Sequence, residues 1–271
     1  MLIKRGDIFI KAPGAEQFQI ARKPDHKLLA MLQLVDDSTY ISESLTQVGW
    51  PLRWQPWSAG SDDVSGSWAS DVEGHSYNTR STSVGDSWLR YRHIVPGYDH
   101  LVPGSDDWQQ ISQLQEAGDS LPDLGEYSGA LITDFYAYNA FISIDRGSLR
   151  SYMPESGLSQ LPPAMFGSPS LSPYGTLGLH WVGDLAFEGE VEVQSDEGEL
   201  LLQLTRGGEV YDCRIDVATG KATLSISGEA NEFVSAAGDT VTAPVGSTKI
   251  KGQGTYAIRY SNVDAEIRLW V

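Results

Sequence analysis

Leu185-Ala186-Phe187-Glu188-Gly189-Glu190-Val191-Glu192-Val193 is the stretch on which the fold turns. Leu185, Phe187, Val191 and Val193 alternate with acidic and small residues. A period of two is a strand with one dry face and one wet face. The alternation returns at Leu200, Leu202 and Leu204, at Tyr211, Cys213 and Ile215, and at Ala222, Leu224 and Ile226. It returns again at Tyr256, Ile258 and Tyr260, and at Ile267, Leu269 and Val271. Turn-forming residues separate the runs: Arg206-Gly207-Gly208-Glu209, Ala218-Thr219-Gly220-Lys221 and Ser261-Asn262-Val263-Asp264. Gly and Asn tolerate positive φ, and Asp and Ser bond back to nearby amides. Residues 179–271 therefore read as an antiparallel meander with one apolar face. A second sheet, drawn from earlier in the chain, is expected to cover that face.

Working outward, the chain has 271 residues and is 41% hydrophobic, enough for a sizeable core. Its 36 acidic against 19 basic side chains give a formal net charge of -17. Such a surface repels phosphate backbones and anionic lipid, so neither a nucleic-acid partner nor a basic lipid-docking patch is expected. No apolar run is long enough to span a membrane. Met1-Leu2-Ile3-Lys4-Arg5 reads as the start of a strand rather than a secretory signal. The single cysteine, Cys213, shares a strand face with Tyr211 and Ile215 and reads as a buried small hydrophobe.

The N-terminal 44 residues read as a β-hairpin region. Ile3 to Ile10 is strand-like, with Ile8 and Ile10 on one face and a Gly6-Asp7 turn before them, Pro13-Gly14 turns the chain, and Phe18 to Ala21 is a second short strand. Lys27 to Val35 is apolar, and its periodicity fits either a short helix or a buried strand. Residues 45–271 read as a β-sandwich with Trp-rich loops. Six of the eight tryptophans lie early in that span: Trp50, Trp54, Trp57, Trp68, Trp88 and Trp108. They read as anchors pinning long Ser/Gly/Asp loops onto the core, with sugar-stacking as the rival role. Trp88 to Val95 is an expected strand, Gln109 to Ala117 an expected helix, and Ala130 to Ile144 the expected central strand of the covering sheet. The Pro- and Ser-rich segment 152–176 is expected to cross the molecule in extended form.

Few residues form a reactive pattern. Glu188, Glu190 and Glu192 share one strand face. Glycan cleavage needs two carboxylates across one bond, but a solvated outer face explains the same pattern. His93 and His100 lie seven apart with Asp99 beside the second, a weak metal signal. Asp36-Asp37, Asp62-Asp63 and Asp106-Asp107 are Asp-rich turns without a calcium-loop pattern. There is no Gly-x-Ser-x-Gly elbow and no phosphate-cradling glycine loop. The residues thus call for no cofactor and no metal. The candidate ligand-binding set is Trp54, Trp57, Trp68, Trp88, Glu188, Glu190 and Glu192.

Ile3-Lys4-Arg5-Gly6-Asp7-Ile8-Phe9-Ile10 resembles the Gly-Asp strand that opens the extracytoplasmic β-region of type I signal peptidases. Phe18 to Pro24, His180-Trp181-Val182-Gly183-Asp184, Cys213 to Gly220, Asn262-Val263-Asp264 and Leu269-Trp270-Val271 resemble segments of planctomycete signal-peptidase-like proteins. That family uses a serine nucleophile activated by a lysine base. The motifs carrying that dyad, and the family's Gly-Asp-Asn-Ser box, have no counterpart here, so no catalytic residue carries over. The expected fold is all-β: a two-sheet antiparallel jelly-roll, concanavalin-like sandwich with an N-terminal hairpin. The resemblance implies a non-catalytic segment of a larger membrane-anchored protein, on the extracytoplasmic face, with a polypeptide or glycan partner. The competing expectation is a lectin-like sandwich that binds or cleaves glycans.

Overall fold

A computed structural model describes residues 1–4, 7–40, 52–57, 68–71, 75–80, 86–94, 131–132, 181–228, 232–235 and 238–271. In chain order its elements are β1 (Leu2–Lys4), β2 (Asp7–Ile10), β3 (Gln19–Ile20), α1 (Asp25–Met31), β4 (Trp54–Trp57), β5 (Trp68–Ser70), β6 (Tyr77–Thr79) and β7 (Trp88–Tyr91). They continue with β8 (Leu185–Val193), β9 (Glu199–Arg206), β10 (Glu209–Asp216), β11 (Lys221–Ile226), β12 (Phe233–Val234), β13 (Thr240–Val241), β14 (Val245–Ser247), β15 (Gly254–Val263) and β16 (Glu266–Trp270). The described residues are thus mostly β, with one short helix and several open antiparallel sheets. The helix expected over Gln109 to Ala117, the crossing segment 152–176, and all of 130–144 except Leu131 and Ile132 lie outside them.

The chain divides into two compact units. One joins Met1–Leu32 to Gly183–Val271, and the other is Gln33–Val182. In the first, every alternating run of the C-terminal third is a strand. β9, β10 and β11 are consecutive hairpins, with β14 added beyond β11. β15 pairs with β16 on one side and with β8 on the other. The core draws Leu202, Cys213, Ile215 and Ala222 from the first sheet and Ile258 and Tyr260 from the second, with Ile250 between strands. Phe187, Val191, Leu269 and Val271 pack against it.

This corrects the expected source of the covering layer. Among the described residues, the core cluster comes wholly from Phe187 onward. Among the described residues the meander forms two sheets that share a core, with no earlier strand contributing to it. The reason is the long connection after β11, which lets β15 return beside β8 instead of extending the β9–β10–β11 sheet. Each aliphatic side chain fully buried this way contributes roughly 1.5–3 kcal/mol.

Local chemistry fixes the details. Gly189 holds an inward position of β8, where a Cβ would lie 3.0 Å from the Phe187 ring, so its bareness lets that ring lie along the strand. Gly220, at φ 74°, closes the β10–β11 hairpin. A Cβ there would sit 2.9 Å from the Thr248 carbonyl oxygen and 3.0 Å from that of Ile250. The last hairpin turns later than the residues suggested. β15 runs through Ser261, Asn262 and Val263, and Asp264-Ala265 makes the two-residue turn, both at φ 51°. Pairing of Val263 with Glu266 leaves no other residues to turn with. Asp tolerates this left-handed conformation better than Ala does.

The N-terminal residues form the antiparallel sheet β1–β2–β3, with Leu2 opposite Phe9 and Phe9 opposite Ile20. The ambiguous apolar run resolves as helix. α1 has Asp25 in its first turn and no side-chain cap, and it buries only Leu28. Seven residues are too few for an autonomous helix, so tertiary contacts hold it. In the second unit, β4 pairs with β7 and β5 with β6. The strand expected from Trp88 is therefore present as β7, ending at Tyr91.

Two glycine exchanges test this account by opposite signs. Ala265→Gly removes a left-handed Cβ and is expected to stabilise the chain by about 1 kcal/mol. Gly220→Ala drives a methyl into two carbonyl oxygens and is expected to lower the denaturation midpoint well beyond that margin. Urea melts of both variants check the pair.

Candidate functional site

Among the described residues, three carboxylates gather in the first unit, where the two ends of the chain meet. Asp7 opens β2, Asp184 precedes β8, and Asp264 occupies the β15–β16 turn. Each offers a carboxylate oxygen, and these oxygens lie within 4.8 Å of one another. Asp7 is 7% exposed and Asp264 5%. Gathering three like charges, two of them buried, is unfavourable without cations. Two are present. Lys23 Nζ donates to Asp264 Oδ1 at 2.6 Å, and the Lys23 amide donates to Oδ2 at 3.1 Å. Arg206, at the end of β9, lies 3.1 Å from Asp184 and 3.6 Å from Asp7. The Arg206–Asp184 approach is close but poorly aligned, because Asp184 Oδ1 receives no hydrogen bond.

Three carboxylates against two cations leave one negative charge uncompensated, and Asp7 carries that imbalance. Burial raises its pKa first of all, Arg206 opposes the rise, and Asp184 and Asp264 add to it. A proton on Asp7 would bring the cluster to neutrality. A second tier of pairs ties the segment before α1 to the same turn. Arg268 donates to Glu266 at 2.6 Å and to the Lys23 carbonyl at 3.0 Å. It also lies 3.3 Å from Asp25, and Arg22 lies 3.5 Å from Glu266. The trio has the donor atoms of a hard-cation site. With Lys23 and Arg206 set against it, the arrangement acts as an ion-pair lock between chain ends. Sequence spacing had no means of finding it, because its members come from opposite ends of the chain.

The carboxylates singled out from the sequence lie elsewhere in that unit. Glu188, Glu190 and Glu192 all face outward on β8 and are exposed. Their partners across the ladder on β15 are Arg259, Ala257 and Thr255, so no acid faces them there. Arg259 Nε and Nη2 both donate to Glu188 Oε2, at 3.0 and 2.7 Å, and its guanidinium lies 6.0 Å from the Trp270 ring centre. Glu192 accepts from Gln194 at 3.1 Å.

The tryptophans belong to the second unit. On the β4–β7 ribbon, Trp57 stands opposite Trp88 and Trp54 opposite Tyr91. Alternation puts Gln55, Trp57, Trp88 and Arg90 on one face and Trp54, Pro56, Leu89 and Tyr91 on the other. Trp57 and Trp88 meet edge to face, 6.3 Å between centroids at 73°, and Trp54 tilts onto Tyr91 at 5.2 Å. Trp68 lies on β5 and donates from Nε1 to the Ser87 carbonyl at 3.1 Å. All four are half-buried. Trp57 and Trp88 are thus brought together, while Trp54 takes the opposite face and Trp68 another ribbon. Trp50, Trp108, His100, Asp62-Asp63 and Asp106-Asp107 lie outside the described residues.

His93 shares a 3.0 Å hydrogen bond with the Tyr91 hydroxyl. Burial, with help from Arg53, pushes its pKa down to about 4. Burial also pushes the Cys213 thiol up to about 11, which makes it a poor nucleophile at neutral pH. Asp36 is paired with Arg53 at 2.6 Å, and Asp37 Oδ1 accepts from the Thr39 amide and hydroxyl at 3.0 and 2.6 Å.

Comparison with protein-family models, curated proteins and solved structures finds no match to this chain.

Lys23→Met leaves Asp264 buried beside two other carboxylates. We expect a loss of about 2 kcal/mol, below the usual cost of breaking a buried pair because Lys23 is partly exposed. Adding Asp264→Asn to Lys23→Met should recover part of that loss in denaturant titrations. For His93 the sign is opposite to that of a paired histidine. Its folded-state pKa is depressed, so below the unfolded value of 6.5 the unfolded chain takes up the proton first. Stability of the second unit should be full above pH 6.5 and fall steadily toward about pH 4. Near-ultraviolet dichroism melts across that range, with His93→Gln flattening the slope, check it.

Proposed function

We propose that this chain is the non-catalytic, extracytoplasmic β-module of a signal-peptidase-like membrane protein, and that it binds or positions a polypeptide or glycan. One observation carries the reading. Asp7–Ile10, Phe18–Pro24, Cys213–Gly220 and Asn262–Asp264 are among the segments that carry the family resemblance, and all four belong to one unit. One ion pair joins two of them, Lys23 with Asp264, and another ties Asp7 to Arg206 of β9. A unit assembled from both ends of the sequence serves as a base, and the interposed residues 33–182 serve as the element that meets the ligand.

A non-catalytic role also fits the available side chains. Glu188 is occupied by Arg259, and Cys213 is buried with its thiol pushed up to about 11. The concanavalin-like sandwich is the finer form of the fold that we favour, supported by the core shared between the β8–β15–β16 and β9–β10–β11–β14 sheets. A glycan ligand is favoured over a polypeptide by one feature, the Trp57–Trp88 pair with Arg90 stacked on it.

The purified chain, incubated with a fluorogenic signal-peptide substrate, is expected to release no fluorophore. It should retain either the uncleaved labelled peptide or cell-envelope glycan in a co-sedimentation assay. Turnover of the substrate, or retention of neither, overturns the proposal.

A further inference from the structure

The face of the β4–β7 ribbon formed by Gln55, Trp57, Trp88 and Arg90 combines two features rarely wasted together. The first is aromatic. Trp57 and Trp88 stand edge to face, so their ring planes meet as a corner of two apolar walls. The carbon-bound hydrogens of a pyranose ring form an apolar face that packs on such a wall. The second feature is charge. The Arg90 guanidinium lies 5.2 Å from the Trp57 ring centre. Cation–π contact holds the group in place without neutralising it. Arg90 is exposed and has no carboxylate partner among the described residues. Its exposed planar fork of N–H donors has the geometry to take a carboxylate in a two-pronged grip.

Around this point the ribbon has its own polar frame. Arg92 Nη1 donates to Gln55 Oε1 at 3.2 Å, and Gln55 Nε2 donates to the Leu52 carbonyl at 2.8 Å. Gln55, opposite Arg90 in the ladder, is thus fixed with its carbonyl end toward Arg92. Arg90 lies in β7 and Arg92 just past its end, two cations close together in a chain of net charge -17. An uncharged sugar would need the aromatic walls alone, and an acidic peptide would need the cation alone. A ligand carrying both a pyranose ring and a carboxylate uses both.

We infer that the Trp57–Trp88–Arg90 face binds uronate-bearing glycans, the sugar ring lying against the indoles and its carboxylate held by Arg90. The inference rests on the binding-module reading above and names the ligand class for it.

Titration calorimetry and tryptophan fluorescence with oligogalacturonate test it on the full chain. Neutral cello-oligosaccharide and a short poly-glutamate peptide are the comparison ligands. Oligogalacturonate is expected to bind and to alter tryptophan emission, and both comparison ligands to bind at least 10-fold more weakly. Arg90 is exposed, so Arg90→Gln should leave the dichroism spectrum intact while weakening oligogalacturonate binding about 10-fold, the worth of one two-pronged charged contact. Arg90→Lys should restore only part of the affinity. Equal binding of cello-oligosaccharide or poly-glutamate, indifference of oligogalacturonate to Arg90→Gln, or no binding at all overturns the inference. The signal-peptide turnover assay is unaffected by any of these results, so failure here is distinguishable from failure of the module reading.

Discussion

Charge compensation at the meeting of the chain ends is the constraint on which the first unit depends. Asp7, Asp184 and Asp264 converge from three elements, and burial there is tolerable only because Lys23 and Arg206 arrive with them. Hydrophobic burial is abundant in the shared core of the two C-terminal sheets. It is scarce in the N-terminal sheet, where Ile3, Ile8 and Ile10 are exposed. The charged tie from that sheet to the C-terminal strands is Asp7 with Arg206, 3.6 Å apart. Such contacts contribute modestly to net stability but strongly disfavour any arrangement that leaves a partner unmatched.

The two units also divide the chemistry. The first has its carboxylates either locked by cations or spread along an outer face. The second gathers aromatic rings and arginines on short ribbons.

Much of the fold could be read from the residues, and the limits of that reading are physical. β8, β9, β10, β11, β15 and β16 declare themselves because a half-buried strand leaves a period-two trace. Which strands pair leaves none, so the division of the meander into two sheets was invisible. Lys27 to Val35 was ambiguous because a short helix burying only Leu28 has too little periodicity to differ from a strand. The last turn was misplaced by its polar residues. Ser261 and Asn262 look like turn formers, yet both are almost wholly buried within β15. The ion-pair lock was missed entirely, since no local pattern links Asp7 to Asp264. The tryptophans were noticed, but that Trp57 faces Trp88 while Trp54 faces away follows only from the β4–β7 register.

The first unit is discontinuous, and this shapes how the protein must be made. β1 to β3 and α1 leave the ribosome early, but Arg206, Asp184, Asp264 and Arg268, which secure them, follow only after residue 182. Closure across so long an intervening stretch is entropically slow. The N-terminal strands must then wait with Asp7 and Lys23 still unpaired, an interval in which chaperone capture competes with aggregation.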